Sequence, residues 1–157
     1  MAVVRILVDG YSLLHEWTEI ARGLPRFSAQ AREELVQKMT LYQDAVNIPI
    51  TIVFDGAGAY TTLAHAEIKT DVEILYSRTG LTADAIIERV AHRMKPYGEV
   101  LAVTDDHAER DTVVSLGGIS TSCLGFIQEV ENTLADLGQT MKQINEREKR
   151  SYRNRKP

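Results

Sequence analysis

The sequence is poor in several things that would have named its chemistry. It has a single cysteine among 157 residues, Cys123, so no internal disulfide can form, and no CxxC or nearby histidine completes a zinc-binding spacing. It has no long apolar run. The hydrophobic opening Val3 to Val8 is broken by Arg5 and ends at once in Asp9 and Gly10, too short for a signal peptide or a membrane span. A cytoplasmic location away from membranes is expected. There is no Walker lysine motif and no GxGxxG after a strand, which leaves neither standard nucleotide-binding mode supported. No second acid follows Asp9 two positions on, against an aspartyl-phosphate phosphatase, and Ser12 lacks the GxSxG elbow of a serine hydrolase. His15 and His107 lie near strand ends, but a lone histidine is more often a surface residue than a base. A receiver domain also gathers acids at strand ends, but it needs a lysine after its last strand, and Gly117 to Leu124 contains none.

Net positive charge is missing too. The chain carries −4 overall, which argues superficially against a polyanionic partner. The distribution says more. From Met141 to Pro157, seven cations against two acids give +5, leaving −9 on everything before. An acidic body with a basic tail suits a carboxylate-rich metal site beside a polyanion tether; equally, the tail reads as a solvated helix end. Residues 1–140 form the expected domain, and 141–157 its basic helix end or tail.

At 44% hydrophobic, the chain can bury a core sufficient for one domain without covalent staples. Short apolar runs alternate with stretches of helical periodicity, the pattern of βαβ units around a mostly parallel sheet. Strands are expected at Arg5–Val8, Ile50–Phe54, Val72–Tyr76, Val100–Val103 and Ile119–Thr121. Ser28 caps a helix reaching about Val46, and Thr82 caps one that ends before Pro96. Further helices are expected over Ala108–Leu116 and from Leu124 to about Arg150. Gly56 to Thr70 reads as an irregular loop over a site.

Three apolar strands run into an acid: Val8-Asp9-Gly10, Phe54-Asp55-Gly56 and Val103-Thr104-Asp105-Asp106. Ligands of open α/β sheets bind beyond the carboxyl ends of the strands, where strand order reverses. Each aspartate alone reads as a turn or cap former. Clustered, they need protons or a cation to coexist. Asp84 and Glu88, four apart after Thr82, share a helix face and can join them; alternatively Asp84 complements the helix dipole and Glu88 pairs with Arg89 or His92. All-carboxylate donors select hard cations, magnesium or manganese.

The segment Ile6-Leu7-Val8-Asp9-Gly10-Tyr11-Ser12 resembles the opening of NYN domains, an apolar strand followed by Asp-Gly-Tyr-Asn. Val53-Phe54-Asp55, Val72 to Ser77, Thr82-Ala83-Asp84-Ala85-Ile86-Ile87-Glu88-Arg89 and Val103-Thr104-Asp105 follow the order of the YacP-like branch of that family, covering residues 4–14 and 50–131. The resemblance implies a PIN-like three-layer α/β fold, with a mostly parallel sheet of about five strands flanked by helices. It also implies metal-dependent endoribonuclease activity, bacterial YacP-like members being associated with ribosomes and messenger RNA decay.

Carried over, Asp9, Asp84 and Asp105 match the acidic catalytic site, with Glu88 and Asp106 as further candidate metal ligands. One or two divalent ions there would activate water against a phosphodiester. Ser12 replaces the usual Asn, a shorter hydroxyl in place of an amide. Candidate substrate contacts are Ser12, Tyr11, Asp55, Arg78, Thr104 and Arg110, with Lys69 a further phosphate contact. Tyr11, Tyr60 and Tyr76 are the aromatics near the site, too few to specify an RNA sequence. The alternative is a PIN-like module that binds RNA or a ribosome without cutting.

Overall fold

The computed structural model describes residues 2–56, 72–77 and 81–155. Within them the order is β1 (Val3–Asp9), α1 (Gly10–Glu16), α2 (Ala29–Val46), β2 (Ile50–Phe54), β3 (Glu73–Tyr76), α3 (Ala83–Met94), a 3-10 turn (Lys95–Tyr97), β4 (Glu99–Val103), α4 (His107–Ser115), β5 (Ile119–Thr121) and α5 (Cys123–Arg155). The strands pair in parallel in the order β3-β2-β1-β4-β5, so the chain winds outward from β1 on one side, then returns to β1 and builds the other. Strand order therefore reverses between β1 and β4. This is the expected three-layer α/β architecture.

Alternation along β1 sorts the two faces. Ile6 and Val8 face α1, α2 and the start of α5, in a core with Leu13, Trp17, Leu35, Met39, Phe126 and Val130. Leu7 faces the opposite way, onto Ala83, Ile87 and Ala91 of α3 and Val113 of α4. The fully buried Thr51 in β2 is satisfied across strands: its Oγ1 accepts from Arg5 Nη1 at 2.8 Å and donates to Glu73 Oε1 at 3.0 Å.

The expected caps form. Ser28 Oγ accepts from Ala31 N at 3.1 Å and Thr82 Oγ1 from Ala85 N at 3.2 Å. Asn47 ends α2 in the left-handed conformation at φ 57°. Two features differ from the sequence expectation. Helix α1, not anticipated because glycine opens it, starts directly from the strand with Asp9 as its N-cap, and α5 continues as regular helix to Arg155. The loop expected at Gly56 to Thr70 lies almost wholly outside the described residues, as do Tyr60, Lys69 and Arg78. Among the described residues, no helix is long and apolar enough to cross a membrane.

Gly10 is required by a close approach rather than by its backbone angles. A Cβ there would run into the buried Phe54 ring. Gly10→Ala is therefore expected to cost about 1–3 kcal/mol through overpacking, seen as a thermal midpoint lower by roughly 2–10 °C. An unchanged midpoint would show that the ring yields freely.

Candidate metal centre

Three elements converge at the carboxyl edge where strand order reverses. Asp9 ends β1, Asp84 lies in the first turn of α3, and Glu109 lies in the first turn of α4. Each offers a carboxylate oxygen within 4.8 Å of the others. At that separation an ionised pair repels by on the order of 3 kcal/mol at an effective dielectric constant of about 20.

Asp9 is held by Ser12, whose Oγ donates to Oδ2 at 2.8 Å and whose N–H approaches Oδ1 at 3.4 Å. Burial raises the Asp9 pKa above the ordinary carboxylate value; the two bonds from Ser12 oppose this, and the charges of Asp84 and Asp55 add to it. Ser12, where the family pattern has Asn, thus orients the carboxylate beside it.

Glu109 is 5% exposed. Its Oε2 accepts a long 3.4 Å bond from Thr104 Oγ1, and its Oε1, fully buried, has no hydrogen-bond partner among the described residues. Burial pushes its pKa up to about 9, reinforced by Asp84, which can accept a hydrogen bond from the protonated acid and repels the ionised one, and then by Asp9 and Asp106. A buried carboxylate with an orphaned oxygen, next to two more acids, is costly unless a proton or a cation completes it. The oxygen-only donor set and that orphaned atom fit a hard divalent ion.

The local reason for Glu109 pointing inward lies in the β4–α4 turn. Asp106 caps α4 through Oδ1, which accepts from Ala108 N at 2.9 Å and Glu109 N at 3.2 Å. An acid three residues after such a cap ordinarily reaches back to the cap's own N–H. Here Thr104 Oγ1 accepts from Asp106 N at 3.2 Å instead, so the Glu109 carboxylate is released toward Asp9 and Asp84. The Asp-x-x-Glu spacing is visible in the sequence, but there it reads as a helix start, which hides the role of Glu109.

The other expected residues take varied places. Asp105 is exposed and lies outside the three-carboxylate group; its Oδ1 accepts from Cys123 N at 2.9 Å and so pins the first turn of α5. Together with burial, the charges of Asp105 and Asp9 raise the pKa of the Cys123 thiol, which is the buried core group expected. Glu88 and Asp106 line, with Asp84, Glu109, Ala108 and Thr112, a cleft of about 170 Å³. Thr104 is wholly buried, its hydroxyl turned to Glu109. Asp55 accepts from Ser77 Oγ at 2.9 Å, and Ser77 in turn accepts from Gly56 N at 3.1 Å. Arg110 is half-buried on α4 and makes no side-chain hydrogen bond or ion pair among the described residues.

Tyr11 anchors an aromatic group that the sequence did not reveal. Its ring lies 4.9 Å from Phe27 and 5.1 Å from Phe54, which stacks on Tyr76 at 5.6 Å. Phe27 arrives from the loop before α2 and is 71% exposed. Arg32 ties the group together, donating to Tyr11 Oη at 3.2 Å and to Phe27 O at 2.8 Å, with its charge close to Tyr76.

Comparison with known proteins identifies the fold and the family. The chain is 28% identical over 127 residues to the uncharacterized protein YacP of Bacillus subtilis strain 168, an alignment spanning 80% of this chain and 74% of the relative. It superposes on the crystal structure of a tryptophan-to-leucine variant of Rae1 (YacP) from Bacillus subtilis with a TM-score of 0.74 at 26% identity, covering 90% of this chain and 84% of that one. The fold of a second Rae1 (YacP) crystal structure from the same organism matches with a TM-score of 0.76 at 22% identity, over 96% and 86% of the two chains. The YacP-like NYN domain profile matches residues 6–156, nearly the whole sequence, and the chain belongs to that family, whose fold is PIN-like and nuclease-like.

Proposed function

We propose that this protein is a divalent-metal-dependent endoribonuclease that hydrolyses RNA phosphodiesters, with messenger RNA as its substrate and the ribosome as its setting. The observation that carries the reading is the buried, unpartnered Oε1 of Glu109 within a group of three carboxylates at the point where strand order reverses. NYN domains generally act on RNA, and PIN-like nucleases generally use divalent metals.

Asp9, Asp84 and Glu109 are the residues that would hold magnesium or manganese. When bound, such an ion supplies an activated water at neutral pH and offsets negative charge at the phosphodiester. The protein's own part is to hold and orient. Ser12 fixes the Asp9 carboxylate, Thr104 steers Glu109 inward, and Asp105 sets the start of α5 against the loop after β4. Asp106 and Glu88 border the cleft and add negative charge that favours a cation. The exposed Phe27 ring and the Tyr11 ring it touches, two residues after Asp9, offer a stacking surface for an unpaired base. Arg110 on α4, the helix that carries Glu109, and Arg32, which holds Tyr11, would supply phosphate contacts.

The test is incubation of end-labelled RNA with manganese, with magnesium or with chelator, followed by mapping of the ends. Internal cuts that appear only with metal are expected. RNA binding that is indifferent to metal, with no cuts on any substrate, would instead identify a non-catalytic RNA-binding module.

A further inference from the structure

Helix α5 is 33 residues long, about 50 Å at 1.5 Å per residue. Only its opening belongs to the core: Cys123, Phe126, Ile127 and Val130 are buried and Leu134 packs partly against them. From Ala135 to Arg155 nearly every residue is exposed, a further stretch of about 30 Å. Two stripes run along this part. Leu137, Met141, Ile144 and Tyr152 fall on one side, at 44%, 55%, 48% and 64% exposure. Lys142, Lys149 and Arg153, spaced i, i+7, i+11, fall on another, with Arg150 beside them and Glu146 the one acid among them. None of these four cations forms an ion pair or a side-chain hydrogen bond with a described residue.

We infer that the exposed part of α5 is a rigid docking arm for a large folded RNA, gripped through its phosphates at a distance from the cleavage site. Charge complementarity selects the occupant. The segment from Met141 carries +5, while the rest of the chain carries −9 and gathers acids at the candidate centre, so phosphate attraction resides in the arm. Geometry selects the size of that RNA. The start of α5 is pinned beside the candidate centre by the bond from Cys123 N to Asp105, and the basic stripe begins roughly 28 Å further along the axis. A short oligonucleotide filling the centre cannot also reach the arm; an RNA that extends well beyond the scissile bond, or a folded RNA that presents it, can. The inference rests on RNA being the partner and narrows the substrate class to RNA large enough to span from the centre to the arm.

The experiment measures binding and cleavage separately, in the full-length protein. One variant carries Lys142→Gln, Lys149→Gln, Arg150→Gln and Arg153→Gln, since glutamine keeps helix propensity and removes charge. A control carries Lys142→Arg and Lys149→Arg. Binding is titrated in chelator against a long structured RNA and a short single-stranded oligonucleotide at several salt concentrations. The glutamine set should weaken binding of the long RNA at least about tenfold and reduce the salt slope by roughly 3, at 0.7 to 0.9 per lost contact. The arginine control should retain both, and manganese-dependent cutting of the short oligonucleotide should be unchanged.

Unaltered affinity and slope for the long RNA would overturn the inference. So would sedimentation showing a dimer that Met141→Asp with Ile144→Asp dissociates while the glutamine set binds RNA normally, since the arm would then serve a second copy of the chain. Absence of cutting by the wild type on any RNA would count against the nuclease reading alone, because the arm is judged by binding in chelator.

Discussion

Asp84→Asn is expected to lower metal-dependent RNA cleavage by at least about a thousandfold, or roughly 4 kcal/mol of barrier, whereas Asp105→Asn should stay within about tenfold of the wild type. The asymmetry follows from what each carboxylate touches. Asp84 belongs to the group whose oxygens lie within 4.8 Å of one another, and asparagine there removes one of three charges that would hold the cation. Asp105 accepts an N–H from Cys123, a task that an asparagine oxygen performs as well. Asp9→Asn should follow Asp84→Asn, since the amide oxygen can still accept from Ser12 but the charge is gone. Single-turnover rates at saturating RNA with manganese, alongside thermal midpoints no lower than the wild type, make the comparison. Equal losses in Asp84→Asn and Asp105→Asn would return Asp105 to the set of ligands, as the strand-end pattern of the sequence has it.

Glu109→Gln is expected to make the metal-free protein more stable at pH 8 while removing its response to manganese. Burial beside Asp84 pushes the Glu109 carboxyl from an ordinary 4.5 up to about 9, so the folded protein binds the proton more tightly than the unfolded chain. The stability this gives is full below about pH 4.5 and is lost as pH rises toward 9. Metal-free wild type should therefore show a thermal midpoint that falls across this window, and Glu109→Gln a flatter one. At pH 8 the variant should lie higher by on the order of 5 °C, corresponding to about 1–3 kcal/mol. Saturating manganese should raise the wild-type midpoint, by about 2.7 kcal/mol in stability at a hundred times the dissociation constant, release a proton that a weakly buffered titration detects, and leave the variant almost unmoved. A wild-type midpoint flat from pH 5 to 9 would mean that Glu109 is not the strained acid described.

How much of this was legible beforehand depended on range. β1, β2 and β4 were readable because their apolar runs end at or just before an acid, and α2 and α3 because Ser28 and Thr82 cap segments whose buried residues recur on one face. Helix α1 was not, because glycine at its first position argues against a helix, and its real cause, the approach of Phe54, is a contact between distant segments. Asp84 was found through its spacing from Glu88. Choosing between Asp105 and Glu109 required the direction of the chain after Val103, which Thr104 decides by accepting from Asp106 N. Phe27 and Arg32 sit in a loop and a helix whose docking onto Tyr11 leaves no local signature.

Asp9 and Glu109 stand one hundred positions apart, and they meet only because β4 enters the sheet on the far side of β1 after β2 and β3 have been laid down. The carboxylate cluster thus comes together late in the order in which the chain is made. During synthesis β1, β2 and β3 can pair without any mutual repulsion among the three acids, and the electrostatic penalty falls due only when β4 and the first turn of α4 have been translated and docked. A nascent fragment ending before α4 carries two of the three carboxylates, so an unfinished chain has no complete carboxylate centre.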